Sequence, residues 1–188
     1  MLADSHIHLF ENGYQNSGEN TLETYLAIVE KFAISRALVV GYEGEPWAVG
    51  NNAYIANLKL THSWISPLGF LQASDLSLGK LESLANQGFV GISLYIFSNE
   101  DASILQDIGD EIWQWLVDKK WLISINSKGD HWLPWLEVLK RNPTLKLLIS
   151  HIGLLKIPTK PRSDSEIATD LRTIASLVKF SNVYLKLS

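Results

Sequence analysis

Short apolar segments alternate with helix-like segments along the whole chain, and this alternation limits the possible folds more than any other feature. Seven segments are rich in Val, Ile, Leu and aromatic residues, as buried parallel strands are. They are residues 2–10, 36–41, 63–71, 88–97, 121–126, 145–150 and 182–188. The segments between them carry apolar residues at spacings of three and four, which predicts six helices. Strands and helices that alternate in this way predict an α/β fold with a parallel sheet and right-handed crossovers.

Two architectures fit this order, an open doubly wound sheet and a (β/α)8 TIM-type barrel. A dinucleotide-binding doubly wound sheet would show a GxGxxG turn after its first strand, and the segment "LFENGYQNSG" found there does not. A complete barrel takes about 250 residues and needs an eighth strand to close. The sequence therefore predicts a single barrel domain over residues 1–188 that is incomplete, with seven of eight strands and without the C-terminal βα unit. A second copy of the chain could cover its open edge.

Helical periodicity is clearest in the second half of the chain. One apolar stripe predicts a single helix before the fifth strand and consists of Ile104, Ile108, Ile112, Trp115 and Leu116. Residues 131–142 predict another helix, with Pro134 in its first turn, where proline is tolerated.

The composition excludes several classes of partner and site. The 188 residues carry a formal net charge of −4, and the 16 Lys and Arg residues are scattered, so we expect no nucleic-acid partner. The absence of cysteine leaves His, Asp and Glu as the only protein metal ligands. No apolar run approaches the roughly 18 residues of a membrane span, and the N-terminus lacks the pattern of a signal peptide. We therefore expect a cytoplasmic protein without a membrane partner.

The stretch "DSHIHLF" places two of the five histidines, His6 and His8, two residues apart in the first strand. Alternate residues of a strand point to the same face, so both imidazoles can reach one ion. The carboxyl ends of barrel strands are where the active sites of this fold are built. A chance His-x-His pair is common, so the spacing alone leaves a structural role open.

His151 gives the pair a third member. It closes the sixth strand in "LLISHIG", so it should lie at the same rim of the barrel, across the mouth from the first strand. We therefore expect His6, His8 and His151 to converge on one metal ion. A lone histidine held by backbone groups is the alternative for His151. His62, before the third strand, falls at the opposite, stability-bearing end and is predicted to be structural.

Four segments together resemble the amidohydrolase-related family of metal-dependent hydrolases, which includes decarboxylases and lactonases of cyclic and aromatic acids. They are "DSHIHLF", "GFVGISLYIF", "PWLEVLKRNPTLKLLISHIG" and "NVYLKLS". The resemblance implies a (β/α)8 barrel with one divalent ion, usually zinc. It makes His6 and His8 metal ligands and His151 a ligand or the residue that orients water and substrate. Asp4 and His151 are the candidate catalytic residues.

The sequence departs from the family pattern at two places. Family members commonly carry a histidine at the end of strand five, where this chain has Asn126, which we expect to contact substrate. His131 could replace that histidine from the following loop, although a residue that opens the next helix is the plainer interpretation. The aspartate expected at the end of strand eight lies beyond this sequence. Strand four has neither Lys nor Glu to bridge a second metal, so one ion is the upper limit.

These residues predict a hydrolase that activates water on its ion and acts on an amide, a lactone or other ester, or a carboxylated ring. The loops after strands two and six supply candidate substrate contacts, namely Glu43, Trp47 and Lys156, and the cation suits an anionic small-molecule substrate. A solvated loop is the alternative for each. Two other functions stay open: a non-catalytic or truncated barrel without the strand-eight aspartate, and, less favoured by the charge and by strand four, a TatD-type nuclease.

Overall fold

The computed structural model describes residues 2–153 and 163–187. Within these residues, the strands are β1 (Leu2–Ile7), β2 (Ile34–Val40), β3 (Ile65–Phe70), β4 (Gly91–Ile96), β5 (Leu122–Ser127), β6 (Lys146–Ile149) and β7 (Val183–Leu185). The helices are α1 (Leu22–Phe32), α2 (Asn51–Thr61), α3 (Leu78–Asn86), α4 (Asn99–Asp107), α5 (Asp110–Asp118), α6 (Pro134–Arg141), α7 (Asp164–Asp170) and α8 (Arg172–Leu177). Each of the seven predicted strands is present.

The strands form one sheet in chain order, from β1 to β7. The pairs β1–β2, β2–β3, β3–β4, β5–β6 and β6–β7 are parallel. A doubly wound sheet would reverse its strand order at a switch point, whereas consecutive parallel strands with intervening helices are the order of a (β/α)8 barrel. The predicted fold class, an α/β protein of the TIM-barrel type with seven strands, is confirmed.

The chain divides into two compact units. The first comprises Met1–Gln72 and Ser77–Ser93, and the second comprises Ala73–Leu76 and Leu94–Ser188. Branched aliphatic side chains dominate the core of the first unit, where Leu9, Val39, Val40, Ile55, Ile65 and Leu68 are fully buried. Tryptophans add to the core of the second unit, where the rings of Trp113 and Trp135 meet edge to face at 5.8 Å. Because both core types exclude water, each unit has an apolar interior of its own.

One predicted helix is two helices in the structure. The apolar stripe from Ile104 to Leu116 is divided between α4 and α5, because Ile108 has an extended conformation (ψ 125°) and Gly109 is the N-cap of the next helix. Ile108 and Ile112 are nevertheless both buried. The periodicity therefore predicted the buried face correctly but not the break in the backbone. Among the described helices, none is long and apolar enough to cross a membrane.

Candidate functional site

An irregularity in β1 sets the directions of the side chains in the DSHIH segment. Asp4 pairs with Ala37 and Ile7 with Val39, so three steps along β1 match two steps along β2. Such a β-bulge adds one residue and reverses the alternation of side chains across it. Asp4 and His6 are therefore not held to the same face of the sheet, although they are two residues apart.

The carboxylate of Asp4 faces α1 and stabilises the bulge through two hydrogen bonds. Its Oδ2 accepts a hydrogen bond from the hydroxyl of Tyr25 at 2.9 Å, and its Oδ1 accepts one from the backbone N–H of His6 at 3.0 Å. Burial, together with this contact to Asp4, raises the pKa of the Tyr25 hydroxyl, so Tyr25 is a proton donor at any physiological pH. These contacts give Asp4 a positioning role for His6, while its predicted catalytic role stays a prediction.

The rings of His6 and His8 meet through their Nε2 atoms. The two Nε2 atoms are 3.1 Å apart and the ring planes are inclined by 77°. Two imidazoles that bind one tetrahedral zinc ion at about 2.0–2.1 Å place their nitrogens roughly 3.3 Å apart. The observed separation is close to that value, so this pair fits two ligand positions of one ion.

A second contact fixes which nitrogen of His8 can bind an ion. Its Nδ1 lies 2.7 Å from the carbonyl oxygen of Val40, which can only accept, so Nδ1 carries the proton. In a neutral imidazole this leaves the lone pair on Nε2, the atom directed at His6. Metal-binding histidines are usually oriented by a hydrogen bond of this kind from the other ring nitrogen.

Aromatic side chains continue from His8 to the loops after β1 and β2. The ring of Phe10 lies parallel to that of His8 at 5.9 Å, and the ring of Trp47 meets Phe10 at 4.9 Å and Tyr14 at 5.0 Å. Phe10 and Trp47 also line a cleft of about 60 Å³ between these loops. Trp47, a predicted substrate contact, is therefore half-buried in an aromatic wall that begins at the histidine pair.

Glu43, the other predicted contact in this unit, is held by Asn52 of α2. Its carboxylate accepts the backbone N–H of Asn52 at 2.8 Å. The Asn52 amide in turn binds both backbone groups of Phe70, at 2.7 and 2.9 Å. Gly41 makes this close packing possible, because a Cβ there would lie 2.7 Å from Asn52 Oδ1 and 2.8 Å from Leu68 O. These contacts make Glu43 an anchor for the start of α2, and its substrate contact stays a prediction.

His151, in the second unit, follows β6 in a short 3-10 turn, Ser150–Gly153. His151 and Ile152 both have left-handed backbones, with φ of 52° and 53°. That conformation is strained for a β-branched residue such as isoleucine, and strain of this kind clusters at functional sites. Two contacts hold the turn: Ile152 N–H donates to Lys186 O at 3.3 Å and the Trp132 indole donates to Gly153 O at 3.2 Å.

Asn126 lies near the end of β5 and is 4% exposed. Its Oδ1 is buried and finds no hydrogen-bond partner in the described part of the chain. Buried polar atoms are normally paired, so this atom calls for an explanation such as a ligand. Its position agrees with a substrate contact, which stays a prediction.

Sequence reasoning missed Lys186, which is 3% exposed. Its Nζ donates to Ser124 Oγ of β5 at 2.7 Å, and burial lowers the pKa of Lys186 to about 7. One signal was available: Lys186 lies two residues after Tyr184 in "NVYLKLS", so it belongs to the face opposite Val183 and Leu185. From the sequence alone, a single lysine at a strand end is predicted to be exposed to solvent. Its burial becomes evident only in the folded structure.

His62 and His131 contact polar groups within their own units. His62 follows α2 and its Nδ1 lies near Thr61 Oγ1 and Leu58 O, in agreement with the predicted structural role. His131 Nε2 lies 3.1 Å from Asn99 Oδ1 at the start of α4. Lys156, a predicted substrate contact, lies outside the described residues.

No group of three or more His, Asp or Glu side chains that could hold a metal ion occurs in residues 2–153 and 163–187. The histidine pair thus supplies two ligand positions, and the convergence of His6, His8 and His151 stays a prediction. Catalytic zinc sites usually have three protein ligands and one open position, so the pair needs at least one further ligand.

Consecutive parallel strands with intervening helices and a His-x-His pair at the end of the first strand define a TIM-barrel-type protein with a candidate metal site. The sequence model of the Amidohydrolase family matches residues 3–188, so the chain is a member of that family. No curated protein matches the chain. The resemblance found in the sequence is confirmed at the level of the family.

Solved structures repeat the fold. An amidohydrolase from Burkholderia multivorans with bound Zn has a TM-score of 0.75 at 14% identity, over 98% of this chain and 68% of that one. A probable 2-pyrone-4,6-dicarboxylic acid hydrolase from Acinetobacter baumannii with citric acid bound has a TM-score of 0.72 at 16% identity, over 99% and 69%. Amidohydrolase 2 from Bifidobacterium longum subsp. infantis has a TM-score of 0.62 at 15% identity, over 99% and 72%. At these identities the likeness shows the fold alone.

Proposed function

We propose that this protein is a metal-dependent hydrolase that uses one divalent ion, zinc, to cleave an amide or a lactone or other ester. The observation that carries the proposal is the meeting of His6 and His8 through Nε2, with His8 fixed in the matching tautomer by Val40 O. Membership of the Amidohydrolase family supports hydrolytic chemistry. The zinc bound to the Burkholderia multivorans relative supports the choice of ion.

A bound divalent ion would lower the pKa of a coordinated water to about 7 and polarise the scissile carbonyl. His6 and His8 would hold the ion through Nε2, and the hydrogen bond from His8 Nδ1 to Val40 O fixes the orientation and the tautomer of that ring. Asp4 stabilises the bulge through its hydrogen bonds with Tyr25 and the backbone N–H of His6, and the bulge sets the direction of the two imidazoles. We assign the orientation of water or substrate to His151, which lies in the strained turn after β6.

The substrate is proposed to carry a planar ring and a carboxylate. Trp47, Tyr14 and Phe10 form an aromatic wall beside His8, which suits stacking against a ring. The Acinetobacter baumannii relative is a probable hydrolase of a cyclic dicarboxylic acid, a lactone of this type. Lactones with ring carboxylates are therefore the first compounds to assay, followed by the corresponding esters and amides.

Metal analysis of the purified full chain tests the proposal without depending on turnover. The wild type should retain close to one zinc or other divalent ion per chain after dialysis, and His6→Ala and His8→Ala should each lose it. His62→Ala is the matched control. His62 is also half-buried in the first unit, but it precedes the N-terminal end of β3, whereas His6 and His8 lie at the carboxyl end of β1. If the wild type holds no ion, or if the three variants retain equal amounts, the metal-dependent proposal is wrong.

A non-catalytic barrel is the second candidate, and one observation favours it: the described residues supply two ligands in contact and no group of three. Cobalt substitution separates the two functions. A complete site with an open position should give the visible absorption of tetrahedral or five-coordinate cobalt, and hydrolysis of the lactones should accompany it. Weak octahedral cobalt binding without turnover would favour the non-catalytic barrel.

A further inference from the structure

One face of the second unit's strands is polar at their carboxyl ends. Ser124 pairs with Leu148, and Leu148 with Tyr184, so side chains two residues further along each strand share that face. The four polar members are Ser124, Asn126, Ser150 and Lys186, which are 1%, 4%, 0% and 3% exposed. The opposite face of the same strands carries Ile123, Ile125, Leu147, Ile149 and Val183. These four polar side chains are therefore buried rather than solvent-facing.

The amine of Lys186 has one hydrogen-bond partner and no counter-charge in the described structure. Its Nζ donates to Ser124 Oγ at 2.7 Å, and Ser124 Oγ lies 3.5 Å from Ser150 Oγ. The ion pairs found among residues 2–153 and 163–187 are Lys140–Glu137 and Arg141–Asp110, which do not include it. A charged ammonium can donate three hydrogen bonds, so two remain for a ligand.

The burial of this amine favours the binding of an anion beside it. Burial lowers the pKa of Lys186 to about 7, because the charged form is deprived of water and nothing negative replaces it. Lysines are almost never fully buried unless they are paired. Asn126 Oδ1 on the same face is also buried without a partner, and an amide can turn to present its N–H₂ group instead. Two under-used polar groups on one buried face indicate a site for a ligand.

We propose that Lys186, together with Ser124, Ser150 and Asn126, forms a binding site for a carboxylate group of the substrate. The ammonium supplies the charge, and the hydroxyl and amide groups supply further hydrogen bonds to the carboxylate oxygens. That the bound carboxylate belongs to a hydrolysable substrate rests on the proposed function. The binding of a carboxylate at these residues does not, because none of the four is a proposed metal ligand.

Isothermal titration with a planar dicarboxylate tests the site. The probe is benzene-1,3-dicarboxylate, and its neutral counterpart is benzene-1,3-dicarboxamide, both titrated into the full chain in slightly acidic buffer. The wild type should bind the dicarboxylate and bind the diamide much more weakly. Lys186→Met should weaken dicarboxylate binding roughly tenfold to a hundredfold, since it removes a charge-assisted hydrogen bond. The matched control is Lys179→Met, which removes an exposed lysine of the same unit and should leave the affinity unchanged.

Lys186→Gln is the second variant, in case methionine at this position prevents folding. Glutamine keeps a donor for Ser124 and removes the charge, so it should lose the same affinity. If either variant binds the dicarboxylate as tightly as the wild type does, or if the diamide binds equally well, the carboxylate site is disproved. The same holds if the wild type binds neither probe.

His6→Ala separates this inference from the proposed function. It should remove the ion and any turnover and leave dicarboxylate binding within about twofold. If His6→Ala retains the ion while Lys186→Met loses the probe, the metal-dependent hydrolase is wrong and the carboxylate site stands. If His6→Ala abolishes probe binding instead, an ion rather than Lys186 holds the carboxylate, and the inference fails.

Discussion

The buried amine of Lys186 should make the stability of the protein depend on pH in a way that one substitution removes. In the folded protein its pKa is about 7, whereas in the unfolded chain it returns to the ordinary value of 10.5. Between these two values the unfolded chain binds one more proton than the folded protein does. The free energy of unfolding therefore rises as the pH rises from 7 towards 10.5. Below pH 7 the full cost of the buried charge is present, and above 10.5 it is absent.

The size of the effect follows from the shift. Each pH unit within that window adds about 1.4 kcal/mol to the free energy of unfolding. Lys186→Met has no group that titrates there, so the wild type should gain roughly 2 kcal/mol relative to this variant between pH 7 and pH 9. The increase in stability with pH is the diagnostic feature, because exposed groups that titrate in this range contribute little to the free energy of unfolding.

Urea denaturation at several pH values between 7 and 9 measures this difference directly. Subtracting the variant's curve from that of the wild type removes the contributions of all other groups. Lys179→Met should follow the wild type, since it removes an exposed lysine. Parallel pH profiles for the wild type and Lys186→Met would show that the amine is solvated or paired, and the reasoning about its burial would be wrong.

Two further predictions concern the first unit. Tyr25→Phe removes the hydroxyl that donates to Asp4, and because a part-buried hydrogen bond to a carboxylate is lost, the free energy of unfolding should fall by about 1–3 kcal/mol in urea titrations; an unchanged value would mean that the bond contributes nothing. Gly41→Ala places a methyl group 2.7 Å from Asn52 Oδ1, so it should cost about 1–3 kcal/mol. Gly79→Ala is its control, since the same methyl group meets nothing within 4 Å in a helix and should stabilise by roughly 0.5–1 kcal/mol. Equal effects at the two glycines would contradict the packing argument.

The order of strands and helices could be predicted because each buried parallel strand is a continuous apolar run. Residues 121–126 and 145–150, for example, predict β5 and β6 to within a residue or two. The break between α4 and α5 could not be predicted, because Ile108 and Gly109 interrupt the backbone without interrupting the apolar stripe. Periodicity reports which side of a segment is buried and is insensitive to a change of helix axis.

In the candidate site as well, residues marked by local spacing could be predicted, whereas roles that depend on distant contacts could not. His6 and His8 could be found because two residues of spacing is a local signal that survives any fold. The role of Asp4 could not, because the bulge that turns it towards Tyr25 depends on how β1 pairs with β2. Lys186 was missed because its burial and its bond to Ser124 join positions 62 residues apart in the sequence. Burial of a lone lysine is a property of the assembled strands, which composition does not encode.

The bulge in β1 also has a consequence for how this site can change over time. The orientation of the two imidazoles is set by a count of residues, since one additional position between Asp4 and Ile7 inverts the phase of the strand. Loss of Ser5 would remove the additional position, so Asp4 and His6 would become neighbours on opposite faces of a regular strand, with both imidazoles still on their present face. Point substitutions can adjust this site gradually, whereas a single-codon deletion at Ser5 removes the two-residue contact between Asp4 and His6 in one step.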